Sequence, residues 1–109
     1  RFIFTHAGGT IPMLAQRITR QAESVPEVAA RLPHGAMYEL KRLHFDTATS
    51  TSTPTLAALR AFLPPDNILL GTDYPYLPPA ATLAGLDASG FDPALLQRIY
   101  HDNARQLLG

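Results

Sequence analysis

The sequence contains no cysteine, so a disulfide framework and a thiolate metal site are both excluded, and nothing requires an oxidising compartment. Neither charge is in excess. Nine basic and nine acidic side chains cancel, which removes the electrostatic argument for a nucleic-acid partner or an acidic membrane surface. No apolar run approaches the roughly 20 residues that a membrane-spanning helix needs. We therefore expect a cytoplasmic protein that binds neither nucleic acid nor membrane.

The sequence has 109 residues, 46% of them hydrophobic, which suits at most one domain. Short apolar runs predict buried strands at residues 2–5, 43–48 and 67–72. Helical periodicity and start signals predict helices from residue 11 onward and over residues 36–42, 54–63, 80–86 and 93–108. Residues 23–33 are expected to be irregular, with room for one helical turn. This alternation of strands and helices is typical of a parallel α/β sheet.

Apolar residues at helical spacing predict which helix faces point inward. In the first helix these are Ile11, Leu14, Ala15 and Ile18, with Thr10 as a capping residue. In the helix at 54–63 the inward residues are Leu56, Leu59, Phe62 and Leu63.

Three strand-helix units are too few for a closed barrel, which takes eight and typically about 250 residues. A lone sheet of three parallel strands would leave both of its edges unpaired. We therefore expect residues 1–109 to be either the end of a larger barrel or a chain that completes its sheet with another chain.

Two polar side chains stand where predicted strands end. His6 follows the first strand and precedes a glycine turn, and Asp73 follows the last strand. The carboxyl edge of a parallel sheet is where α/β folds place reactive groups, and an imidazole with a carboxylate suits a divalent ion and its activated water. The alternatives are a strand-end histidine bonded to a backbone carbonyl and an aspartate in an Asx turn or helix cap. No helix begins at Tyr74-Pro75, which weakens the capping alternative.

Two further charged residues have open interpretations. Asp46 is either a third polar group of the same edge or a carboxylate satisfied by the hydroxyls of residues 47–53. Arg17 would ordinarily be a solvated helix charge. Tyr74 and Tyr76 are expected to form walls and not to react.

Four segments, in this order, resemble the carboxyl-terminal third of the amidohydrolase-related family, which includes aminocarboxymuconate-semialdehyde decarboxylase and the resorcylate-type decarboxylases. The segments are Thr5-His6-Ala7-Gly8-Gly9 with Pro12 and Arg17, Phe45-Asp46-Thr47-Ala48, Leu70-Gly71-Thr72-Asp73-Tyr74-Pro75, and Asp102-Asn103-Ala104 with Leu107.

The resemblance implies a (β/α)₈ TIM barrel in which this chain supplies strands six to eight with their helices. His6 then matches an acid/base histidine beside a metal-bound water, and Asp73 matches a metal ligand. Arg17 matches an arginine that holds a substrate carboxylate in the neighbouring subunit's site, a task that suits a guanidinium. Asn103 is expected to be structural. The implied cofactor is a divalent metal, expected to be zinc with manganese as the alternative.

The family's His-x-His pair on strand one and its histidine on strand five have no counterpart here, so the ligand set in this chain is incomplete. We expect part of a metal-dependent decarboxylase or hydrolase for a small carboxylated substrate, working as a homodimer or with the missing part of the barrel. The alternative is a non-catalytic barrel remnant or assembly module. If the 109 residues are the whole molecule, neither tight metal binding nor turnover is expected.

Overall fold

The computed structural model describes residues 2–109, which contain a small parallel sheet covered by helices. Its strands are β1 (Ile3–Phe4), β2 (His44–Asp46) and β3 (Ile68–Leu69). They lie in the order β1-β2-β3, and both pairs are parallel. The predicted α/β class and parallel pairing are confirmed. The assignment to strands six to eight of a barrel stays a prediction.

The helices connect these strands in the predicted alternation. Between β1 and β2 lie a 3₁₀ turn (His6–Gly8), α1 (Ile11–Glu23), α2 (Pro26–Ala29) and α3 (Ala36–Lys41). Between β2 and β3 lie α4 (Thr53–Phe62) and a 3₁₀ turn (Pro65–Asn67). After β3 come α5 (Pro79–Asp87), α6 (Pro93–Gln97), a π-helical segment (Arg98–Asp102) and α7 (Asn103–Leu108). In the part of the chain that the structure describes, no helix is both long and apolar enough to cross a membrane.

Phe45 on the central strand is the middle of the core. Its side chain is fully buried, the Phe62 ring stacks on it at 5.9 Å, and the Phe4 ring meets it edge-on at 5.7 Å. The turn after β1 closes over the same ring, because a Cβ on Gly8 would lie only 2.7 Å from Phe45 Cε2. The predicted inward face of α4 is confirmed, since all of its members are buried: Leu56, Leu59, Phe62 and Leu63.

Two predictions of burial are wrong, and both concern the β1 side of the sheet. β1 was expected to be buried, but Ile3 is 54% exposed and Phe4 37%, because within residues 2–109 β1 lies at the edge of the sheet and pairs only with β2. On α1, Ala15 is buried, whereas Leu14 and Ile18 are 42% and 37% exposed. This helix packs on α2, α3 and α4, and none of these covers its outer face. The expected cap at Thr10 also fails, since its side chain makes no capping hydrogen bond.

The other edge of the sheet is closed by the carboxyl-terminal helices. Asn103 is buried, and its Nδ2 donates to the backbone carbonyls of Pro65 and Ile68, both at 2.8 Å. The Leu70 N–H donates to the Ile99 carbonyl at 3.1 Å. These bonds satisfy the Ile68 carbonyl of β3 and backbone groups that lie just before and just after the strand. Asn103 therefore has the structural role that was expected of it.

Replacing Asn103 with alanine should lower the free energy of unfolding by about 1–3 kcal/mol, because two carbonyls lose a buried donor. Asn103→Asp should cost at least as much, since a carboxylate cannot donate. Gln106→Ala, at an exposed position of the same helix, is the control and should stay within about 0.5 kcal/mol of wild type. Urea unfolding of the three variants measures the difference. An unchanged Asn103→Ala would contradict the edge-closing role.

Replacing Gly8 with alanine should destabilise the fold through two terms. The left-handed φ of +72° costs a side chain about 1–2 kcal/mol, and the collision with Phe45 adds about 1–3 kcal/mol. Gly90→Ala is the matched control, because Gly90 has a φ of +75° but no atom within 4 Å of its Cβ position. Thermal unfolding should show a clearly larger loss for Gly8→Ala, and equal losses would mean that the turn does not press on Phe45.

Candidate active site

The carboxyl ends of the three strands carry an unusual concentration of left-handed backbone. Only a few per cent of non-glycine residues have positive φ, yet all the non-glycine residues of this kind in the described chain follow a strand end. They are His6 (φ 56°) and Ala7 (57°) after β1, Thr49 (51°) after β2 and Asp73 (62°) after β3. Such strain clusters where surrounding structure holds side chains in place for a function.

The structure brings His6 and Asp73 together, as the sequence predicted. His6 Nε2 lies 3.7 Å from Asp73 Oδ2. The His6 side chain is 49% exposed and that of Asp73 25%, so both reach solvent at the edge of the sheet. An imidazole that can exchange a proton therefore faces a carboxylate across a short gap.

Thr49 fixes the Asp73 carboxylate, whereas the sequence suggested it only as one of several hydroxyls that could bond Asp46. Its hydroxyl donates to Asp73 Oδ2 at 2.7 Å. The other oxygen, Oδ1, has no hydrogen-bond partner among residues 2–109, so it is available to a ligand. Asp73 caps no helix, in line with the argument against the capping alternative. The run of hydroxyl residues after β2 was visible in the sequence, but nothing in it distinguished Thr49 from its neighbours.

Asp46 lies at the same edge, with partners that differ from those expected. Its Oδ1 accepts hydrogen bonds from the His6 N–H at 2.9 Å, the Ala48 N–H at 3.0 Å and the Thr5 hydroxyl at 3.2 Å. Of the two interpretations of Asp46, the one in which the hydroxyls of residues 47–53 satisfy it is wrong, because two of these three donors follow β1 and the third is a backbone N–H. The other interpretation, a third polar group at the same edge, agrees with the structure. Asp46 therefore ties the His6 backbone to β2.

The ends of β2 and β3 are joined through Gly71. The buried Thr47 hydroxyl donates to the Gly71 carbonyl at 3.1 Å and accepts from its N–H at 3.2 Å. A Cβ on Gly71 would lie 2.6 Å from Asp46 Cγ, so only glycine permits this approach. The two strands thereby hold Asp46 and Asp73 at one edge.

Arg17 is not brought to this site. It lies on the exposed face of α1 in an open groove of about 500 Å³, and it makes no ion pair with a described residue; the groove is lined by Gln16, Arg17, Arg20, Gln21 and Ser24. Its role toward a neighbouring subunit stays a prediction. Tyr74 and Tyr76, expected as walls, are 74% and 85% exposed.

The side chains present fit a divalent metal in part. Asp73 Oδ1 is a free carboxylate oxygen of the kind that manganese and zinc accept. Within residues 2–109, no three His, Asp or Glu side chains form a group that could hold a metal. The chain as described thus offers one carboxylate ligand beside one imidazole.

Two side chains in the carboxyl-terminal helical region have displaced pKa values. Burial, together with the hydrogen bond to Asp87, raises the pKa of Tyr100 to about 12. The hydrogen bond from His101 lowers the pKa of Asp102.

Comparison of the sequence with known proteins gives a match to a family and a match to an individual relative. The model of the amidohydrolase family matches residues 1–109. The chain is also 34% identical over 83 residues to 6-methylsalicylic acid decarboxylase of Penicillium expansum, a match that covers 76% of this chain and 26% of that protein.

Solved structures agree with the sequence match. 2,6-Dihydroxybenzoate decarboxylase from Rhizobium, a TIM-barrel protein, superposes with a TM-score of 0.78 at 25% identity, covering 96% of this chain and 33% of that one. A dihydroxybenzoic acid decarboxylase from a Polaromonas species, solved with bound manganese, gives a TM-score of 0.78 at 20% identity, covering 96% and 32%. The chain spans about a quarter to a third of the length of these relatives. Because the family model matches along the whole sequence, the chain belongs to the amidohydrolase family.

Proposed function

We propose that this chain supplies part of the active site of a divalent-metal-dependent decarboxylase that acts on a small carboxylated aromatic compound. The observation that carries the proposal is the His6–Asp73 pair, 3.7 Å apart at the carboxyl edge of the sheet. The substrate class is taken from the relatives, whose names include 6-methylsalicylic acid and 2,6-dihydroxybenzoate.

Asp73 would be a metal ligand through Oδ1. Its Oδ2 is occupied by the Thr49 hydroxyl, which fixes the plane of the carboxylate and directs Oδ1 to the ligand. A bound divalent ion would act as a Lewis acid on substrate oxygens. The remaining ligands would come from outside the described residues. The zinc expected from the sequence is not supported by the comparisons, in which the metal named is manganese, so manganese is the first ion to test.

His6 would move the proton that decarboxylation requires. When CO₂ leaves an aromatic acid, the electron pair of the broken C–C bond stays on the ring carbon, which must then gain one proton. His6 Nε2 faces the site and is accessible, so a protonated imidazole can donate there and be reprotonated from solvent. Hydrolysis would use the same pair to activate water, and the decarboxylase relatives favour decarboxylation over it.

Arg17 would contribute only in an assembly. Its guanidinium is exposed on α1 and makes no ion pair with a described residue, so it is available to a substrate carboxylate in a neighbouring subunit. This part of the proposal requires a homodimer, in addition to the rest of the barrel.

Substitution of Asp73 should lower metal affinity, and substitution of His6 should lower turnover. Asp73→Asn removes a ligand and should weaken metal binding by more than the roughly 10–100-fold that loss of a supporting residue costs. His6→Asn should retain the metal but lower kcat by about 10²–10⁴-fold, the usual share of a general acid. Metal content of the complete native protein and CO₂ release from 6-methylsalicylate and 2,6-dihydroxybenzoate measure both effects.

His34→Asn is the control, because His34 is exposed and its ring lies tilted against the Tyr38 ring, with no hydrogen bond or ion pair to Asp73, so it should change neither quantity. An Asp73→Asn protein with full metal content would contradict the assignment of Asp73 as a metal ligand. A native protein that binds no metal would favour the non-catalytic alternative.

A further inference from the structure

One hydroxyl beside His6 has two hydrogen-bonding neighbours but only one proton. Thr5 Oγ1 lies 2.9 Å from His6 Nδ1 and 3.2 Å from Asp46 Oδ1. A threonine hydroxyl donates one hydrogen bond and accepts through its lone pairs. The direction in which Thr5 donates therefore decides whether His6 Nδ1 must carry a hydrogen.

The partners of Asp46 settle that direction. Its Oδ1 already accepts the backbone N–H groups of His6 and Ala48, at 2.9 and 3.0 Å, and those protons cannot be moved. An oxygen so surrounded by donors is an acceptor. If the Thr5 proton pointed to His6 instead, two oxygen lone pairs would face each other at 3.2 Å. The proton therefore lies toward Asp46, and Thr5 presents a lone pair to His6 Nδ1.

We infer that the Thr5 hydroxyl, oriented by Asp46, is a positioning group that keeps the proton of neutral His6 on Nδ1. The lone pair of the imidazole is then on Nε2, the nitrogen 3.7 Å from Asp73 Oδ2. One carboxylate oxygen thus sets both the backbone position of His6, through its N–H, and the tautomer of its ring.

The tautomer determines which nitrogen can do chemistry. The role of Nε2 in proton transfer rests on the proposed function, whereas the position of the Nδ1 proton does not. Because Thr5 accepts the hydrogen bond from Nδ1–H, the proton that His6 gains and loses is always the one on Nε2. This nitrogen is at the side of the ring that faces the site. In other catalytic or metal-binding sites a carboxylate bonds the histidine Nδ1–H directly and so fixes the tautomer. Here the Asp46 carboxylate acts on the ring through the Thr5 hydroxyl.

The test is ¹⁵N NMR of histidine-labelled native protein at its full length, in which the two ring nitrogens report directly on their protons. Any manganese is first exchanged for diamagnetic zinc, and His6→Asn assigns the His6 signals by their loss. At a pH above which these signals no longer change, Nδ1 should have the shift of a protonated nitrogen and Nε2 that of an unprotonated one.

Two variants of Thr5 separate the hydroxyl from the fold. Thr5→Val keeps the shape but removes the hydroxyl, so the His6 signals should move toward the Nε2–H tautomer that a free imidazole prefers in water. Thr5→Ser restores the hydroxyl and should restore the wild-type pattern.

A wild-type protein with Nε2 protonated overturns the inference without any variant, even if Thr5→Val does not fold. Wild-type shifts in a folded Thr5→Val overturn it as well, because the hydroxyl would then not set the tautomer. Both readouts are independent of turnover, so an inactive protein with the expected shifts would reject the proposed function and leave this inference standing.

Discussion

The edge that carries the candidate site is held by the Asp46 carboxylate. β1 and β2 are short strands, and their ladder ends before the residues of interest begin. Beyond it, Asp46 Oδ1 binds the His6 N–H and the Thr5 hydroxyl, while Gly71 presses against the same carboxylate from the β3 side. Hydrogen bonds to a carboxylate are stronger than those between neutral groups, so one side chain can replace a missing length of sheet.

The core beneath this edge has to offset backbone strain. Each non-glycine residue in the left-handed region costs about 1–2 kcal/mol, and four of them are a large share of the roughly 5–15 kcal/mol by which domains are stable. Phe45 lies directly below, fully buried, and packs against the glycine turn after His6. The turn therefore cannot relax into an ordinary conformation without opening the contact with Phe45.

Local sequence patterns predicted the structure correctly where an element packs against other elements of this chain. The inward face of α4, the buried β3 and the meeting of His6 with Asp73 all follow from periodicity and from the geometry of parallel strands. The patterns failed at β1, where apolar residues that look internal are exposed at the sheet edge. They also missed Thr49 and the donors to Asp46, because these contacts depend on how three separate loops approach one another.

At the non-glycine positions with left-handed backbone, the residue that suits the backbone and the residue that suits the chemistry are different. Glycine would adopt the backbone of His6, Thr49 and Asp73 without steric cost, but it would remove an imidazole, a hydroxyl and a carboxylate. A population of this protein under selection for thermal robustness alone would drift toward glycine there and lose the site before it lost the fold. A non-glycine residue retained at each of these positions would then be a record of selection on the chemistry.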